Sequence, residues 1–162
     1  TGSATAFVPA PLEDVWALLI DPGRMREWGP SFERVEYGRD ASGALPGDVW
    51  VGIAPTHRPD GTPLRVREAV RRQRVELLER GEHRAIAWRF SYPDCPGANS
   101  RRVEIVLEPA PGGCRLRTRL AWERDPGRSP RPLLGLLLRP FHRWAVSSQL
   151  SHLGHSIGRV FR

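Results

Sequence analysis

"AFVPAPLEDVWALLIDPGRMREWGP", residues 6–30, starts as an apolar strand and is then broken by prolines into two short helical pieces. Ala4 to Val8 reads as the strand, and Ala10-Pro11 ends it. Pro11 suits the first turn of a helix, where its missing N–H goes unneeded. Glu13 and Asp14 put negative charge at that helix start, where the helix dipole favours it. Leu12, Val15, Trp16 and Leu19 repeat at i, i+3, i+4, i+7, the spacing of one buried face. Asp21-Pro22-Gly23 stops this helix, Asp21 can cap a second one over Pro22 to Trp28, and Gly29-Pro30 ends that. Trp16 reads as core, and Trp28 stands at the end of the second helix.

Beyond this stretch the punctuation changes. Strands are expected near 32–39, 48–54, 64–79, 84–91, 101–109 and 114–123, separated by turns such as "RPDGTP" and "APGG" whose residues turns demand. Leu64, Val66, Glu68 and Val70 share one face, and Val75 and Leu77 fall in the opposite phase. A bulge is therefore expected between Val70 and Val75. Ile86, Trp88 and Phe90 alternate with Ala85, Ala87 and Arg89. Val103, Ile105 and Leu107 alternate likewise, and Leu116, Leu120 and Trp122 alternate against Arg115, Arg117 and Arg119. The pattern is a sheet with one apolar face and one arginine-rich face in water. After "RDPGRSPRP" the chain ends in an apolar helical run kinked at Pro140. There Val146, Leu150, Leu153, Ile157 and Val160 form one stripe, with His142 and Gln149 on its side and His155 opposite.

A chain of 162 residues suits one domain spanning 1–162. No apolar run approaches the roughly 18 residues of a membrane span, so no integral membrane association is expected. The first residues, Thr-Gly-Ser-Ala, carry no basic or apolar leader region, although the absence of an initiator Met leaves a removed leader open. The expectation is a cytoplasmic domain. The formal charge is +7, and all 25 basic residues are arginine. That bias, with abundant Ala, Gly and Pro, fits GC-rich codon usage, and the arginines are spread along the chain instead of being gathered among aromatics. Nucleic acid is accordingly not the expected partner. Cys95 and Cys114 flank an intervening strand about 30 Å long at ~3.3 Å per residue, too far apart for a disulfide, and should be free thiols.

Strand, two short helices, six antiparallel strands and a long C-terminal helix make an α+β arrangement. This order, with Ala10-Pro11, Glu13, Val15-Trp16, Asp21-Pro22, Trp28 and Pro30 in place, resembles the START-like, birch-pollen-allergen-like (SRPBCC) superfamily. The nearest likeness is to its polyketide cyclase/dehydrase group. The resemblance implies a helix-grip fold, with a bent seven-stranded antiparallel sheet wrapped around the long C-terminal helix and a cavity between them. Cyclases, lipid carriers and hormone receptors all use this fold, so the likeness points to the fold more firmly than to an activity.

Inward polar and aromatic residues are then the candidate site. Trp88, Phe90 and Trp122 are inward aromatics, read either as packing or as ligand contacts. Trp50 lies between Val49 and Val51 and is placed towards the cavity. Glu68, on the inward face, would have its pKa raised by burial and could serve as a general acid or base; the alternative is an ion pair at the sheet edge. His142 and Gln149, about two helical turns (~10 Å) apart, could orient a carbonyl or hydroxyl. Glu68 and His142 are thus the catalytic candidates, and Trp28, Trp50, Trp88, Phe90, Trp122 and Gln149 the ligand-binding ones. His152 and His155 have metal-chelating spacing but no third ligand, and read as surface histidines. The absence of a phosphate-cradling glycine loop, a nucleophile elbow and H-E-x-x-H leads us to expect no cofactor and no metal.

The function expected is the binding of a small hydrophobic molecule. If the protein is an enzyme, the resemblance implies cofactor-independent cyclisation or dehydration of a polyketide or other aromatic metabolite. The rival is a non-catalytic carrier of lipids or hydrophobic ligands, and a third reading is an interaction module with a filled core. A homodimer is left open.

Overall fold

The computed structural model describes residues 1–28, 32–37, 45–57, 61–63, 71–82, 84–95, 100–123 and 151–162. The chain opens with strand β1 (Gly2–Val8), followed by helix α1 (Leu12–Ile20), a 3-10 turn (Pro22–Arg24) and helix α2 (Met25–Trp28). Pro11 sits just outside α1 as its cap residue, and the amide of Val15 donates back to its carbonyl at 3.2 Å. Glu13 and Asp14 occupy the first turn, and Val15, Trp16, Leu18 and Leu19 are buried. Asp21 ends α1 and caps the next turn, its Oδ1 accepting from the Gly23 amide at 2.8 Å. The two short helices read from the punctuation are thus present, the second beginning as a 3-10 turn that Pro22 opens.

Six further strands complete the sheet: β2 (Arg34–Glu36), β3 (Val49–Ile53), β4 (Arg72–Arg80), β5 (Ala85–Ser91), β6 (Ser100–Ala110) and β7 (Gly113–Glu123). The order is β1-β7-β6-β5-β4-β3-β2, seven strands joined by antiparallel pairs. The β6–β7 turn needs a residue with positive φ, which Gly112 supplies at +75°. The expected bulge between Val70 and Val75 is not where the described pairing breaks. Gln73, Val75 and Leu77 keep one inward phase, and the register of β4 against β5 shifts between Leu77 and Glu79. Leu78 is the extra residue, so Arg80 takes the inward position opposite Ile86 and its guanidinium lies 6.0 Å from the Trp16 ring centroid. Leu64, Val66 and Val70 lie outside the described residues.

Residues 151–160 are helical and turn Ile157 into the core, with Leu153 and Val160 packed beside it. Gly154 allows close contact with β1: a Cβ there would sit 2.5 Å from the Ala6 Cβ. His152 and His155 are exposed, and His155 Nδ1 lies 2.7 Å from the carbonyl oxygen of Ser151. Seven antiparallel strands, short helices after the first and a C-terminal helix on the core make the α+β helix-grip fold.

The outer face of the sheet is less simply basic than the alternation predicts. Arg89 on β5 donates to Glu123 on β7 at 2.7 Å and faces Glu76 on β4 at 3.6 Å. Arg102 on β6 pairs with Glu79 at 2.6 Å and Glu104 at 2.8 Å. The hydrogen bond from Arg89 holds the Glu123 carboxyl below the usual carboxylate range. Acid and base alternate across strands, so neighbouring arginines are neutralised where they stand. Cys95 and Cys114 are both free, Cys114 fully buried. None of the helices among the described residues is long and apolar enough to cross a membrane.

Candidate functional site

One cross-strand row on the inner face gathers most of the candidate residues. Trp50 on β3 pairs with Val75 on β4, Val75 with Phe90 on β5, Phe90 with Arg101 on β6, and Arg101 with Trp122 on β7. Period-2 alternation sends all five side chains to the same side. Gln73, two residues before Val75, shares that side.

The row divides into two halves of different character. At the β3 end Trp50 is buried, donates from Nε1 towards Met25 Sδ at 3.2 Å, and meets Tyr37 edge-on at 5.9 Å. Trp28 packs at 5.3 Å and 47° on Trp88, one row further along, and its Nε1 donates to the Leu18 carbonyl at 3.3 Å. These three tryptophans fasten α1 and α2 to the sheet. Trp28 is therefore as buried as Trp16, and burial does not separate a core role from a cavity role for the two.

The β6 end is polar. Arg101 is only 9% exposed, yet it is a cation. Its Nη2 donates to Gln73 Oε1 at 2.8 Å, its guanidinium carbon lies 4.9 Å from the Phe90 ring centroid, and its buried Nε meets no acceptor. No carboxylate among the described residues pairs with it, in contrast to Arg89 and Arg102 on the outer face. Burial lowers its pKa from the ordinary guanidinium value, with Tyr92 acting in the opposite sense. Arginine nonetheless stays charged at neutral pH.

Trp122 was expected inward with the other aromatics. It has the inward parity but is 39% exposed, because β1 pairs with β7 only as far as Gly2 opposite Leu120 and leaves Trp122 beyond the last pair. The row therefore runs from a sealed aromatic core to a half-open aromatic edge, with the guanidinium between.

Glu68, His142 and Gln149 lie outside the described residues. Arg101 and Gln73 were not among the expected site residues, although the signal was present. Arg101 has the parity of Val103, Ile105 and Leu107, and Gln73 that of Val75 and Leu77. Among the described residues no group of three or more His, Cys, Asp or Glu is placed to hold a metal ion. Two clefts lie elsewhere. One of about 690 Å³ reaches from Leu12 to Glu82 and Pro109, and one of about 400 Å³ is bounded by His152, His155 and Arg159. Neither contains a residue of the inner row. Chemically, the row offers fixed N–H donors and a positive charge in apolar surroundings, where each is worth more than in water.

Known proteins place this architecture. The family model of polyketide cyclase / dehydrase and lipid transport proteins matches residues 1–156. StfQ, a di-domain ARO/CYC from the steffimycin biosynthetic pathway, superposes with a TM-score of 0.64 at 16% identity, over 98% of this chain and 49% of its own. Protein Ms6760 from Mycobacterium smegmatis gives 0.59 at 16% identity, over 98% and 88% of the two chains. Ara h 8.0201 gives 0.57 at 12% identity, over 98% and 95%. At these identities the superpositions speak for the fold alone. No curated protein matches the sequence. With the family model spanning nearly all of the chain and the seven-stranded sheet in place, the protein belongs to the polyketide cyclase / dehydrase and lipid transport family.

Proposed function

We propose that the chain binds a small, ring-bearing hydrophobic molecule against the inner face of its sheet, at the β6–β7 end. The observation that carries this reading is the Phe90–Arg101–Trp122 row, in which one buried donor group stands between a buried and a half-exposed aromatic. Apolar walls with a few convergent polar groups are the general form of a small-molecule site. The family membership supports the same class of ligand, and an aromatic polyketide or related metabolite fits the wall.

Within this reading a cofactor-independent cyclase or dehydratase works as follows. Arg101 and Gln73 donate to a ligand oxygen and so hold the ligand in place for the groups that move its proton. Glu68 and His142 are the proton-transfer candidates, and Gln149 a second orienting group. The aromatic wall holds the reacting chain folded. A carrier uses the same wall without proton transfer.

The test is a titration with N-phenyl-1-naphthylamine, a neutral aromatic probe, following probe emission and tryptophan fluorescence, together with native mass spectrometry for a co-purified ligand. Saturable binding weakened at least tenfold by Trp122→Ala and Phe90→Ala supports the reading. Probe emission that stays flat, with no co-purified molecule, would sink it and favour a filled-core interaction module. Enzyme and carrier then separate on turnover of a poly-β-ketone that the protein binds, with Glu68→Gln and His142→Gln expected to abolish turnover but leave binding intact.

A further inference from the structure

Building on that reading, we infer that the ligand carries a carboxylate, and that Arg101 with Gln73 is its anchor. The buried guanidinium is one anion short. Its described partners are a neutral amide oxygen on Gln73 and the face of Phe90, and its Nε is buried without an acceptor. The outer face shows how this chain treats arginines that are complete by themselves: Arg89 and Arg102 each sit against glutamate. A cation moved out of water is disfavoured unless a negative group meets it. A ligand carboxylate supplies that group.

Two details narrow the chemistry. Gln73 accepts from Arg101 through Oε1, so its amide N–H groups remain to donate to a second oxygen on the same side as Arg101. A guanidinium and an amide donor together suit a planar two-oxygen group. Phe90 and Trp122 flank the guanidinium on neighbouring strands, so the part of the ligand behind the carboxylate is apolar and flat. A small hydrated anion has no such part, and leaving water for this site costs it more than it gains. The ligand class is therefore an aryl or aryl-alkyl carboxylic acid, bound ionised.

The probes are 2-naphthoate, its methyl ester and inorganic phosphate, titrated at neutral pH with tryptophan fluorescence and calorimetry as readouts. The expected result is that 2-naphthoate binds at least tenfold more tightly than methyl 2-naphthoate, and that phosphate does not compete. Arg101→Gln, which keeps N–H donors but removes the charge, should bring the acid down to the ester's affinity. The acid–ester comparison needs no variant, so it decides the matter even if Arg101→Gln fails to fold. Equal affinity of acid and ester overturns the carboxylate anchor while the hydrophobic-ligand reading stands. Acid binding that survives Arg101→Gln in a folded variant places the anchor elsewhere and overturns it too. Failure of acid, ester and N-phenyl-1-naphthylamine alike overturns both readings together.

Discussion

Single side chains in this protein are fixed more by phase along a strand than by residue type. Arg101 and Arg102 are sequence neighbours of identical chemistry. One points into the core against Phe90, and the other points out to Glu79 and Glu104. Reading the arginines as a solvated class hid this difference, whereas reading their parity against Val103 and Ile105 reveals it. Cysteine follows the same logic. Cys114 alternates inward with Leu116 and is fully buried, and burial pushes its thiol pKa up, with Glu13 adding to the effect. The thiolate is the reactive form, so a buried thiol of raised pKa is inert. Cys95 is half-buried in a turn. In native protein treated with a thiol-reactive dye near pH 8, Cys95 should label at least tenfold faster than Cys114, with both reacting after denaturation. Equal native rates would contradict the burial assigned to Cys114.

At the scale of elements, punctuation was the legible part. Pro11, Asp21-Pro22-Gly23 and the alternation of Ile86, Trp88 and Phe90 each act through local backbone chemistry, and the elements they imply are present. Less legible was anything set by a partner strand. The register shift at Leu78 had no signal in the alternation, because pairing with β5 decides where an extra residue is absorbed, and the bulge expected between Val70 and Val75 reaches outside the described residues. The close approach of the C-terminal helix to β1 is another case. A glycine at position 154 reads from sequence only as a weak helix residue, yet Ala6 leaves no room there for a Cβ. Gly154→Ala gains about 1 kcal/mol of helix propensity but must push the helix off β1, an overpacking cost of about 1–3 kcal/mol. We expect net destabilisation in urea unfolding, and recovery when Ala6→Gly is combined with it, since that removes the opposing methyl. A stabilising Gly154→Ala, or additive effects in the pair, would show that the helix does not rest on Ala6.

For the whole molecule, the fold was readable from element order, and the candidate site only in part. The inward placement of Trp50, Trp88 and Phe90 was legible because large apolar residues in strand alternation stand out in the sequence, whereas inward donors such as Arg101 and Gln73 do not. The structure divides these roles along the sheet. One end, where Trp28, Trp50 and Trp88 lock the helices down, supplies stability. The other holds a buried cation whose described hydrogen-bond partner is a neutral amide oxygen. Folding and binding should therefore pull in opposite directions at Arg101. Arg101→Met keeps a long apolar side chain against Phe90 and removes the desolvated charge, at the cost of the donor to the buried Gln73 oxygen. Replacing buried charged groups with apolar ones of similar size is often neutral or stabilising, by up to a few kcal/mol. For the ligand-free protein we expect Arg101→Met to raise the urea midpoint, by roughly 1 kcal/mol at unchanged slope, while 2-naphthoate loses its advantage over the methyl ester. If the variant is instead less stable by ~2 kcal/mol or more, the guanidinium is a structural strut that the core depends on. A gain in stability with loss of acid binding identifies Arg101 as a residue held in place for its ligand.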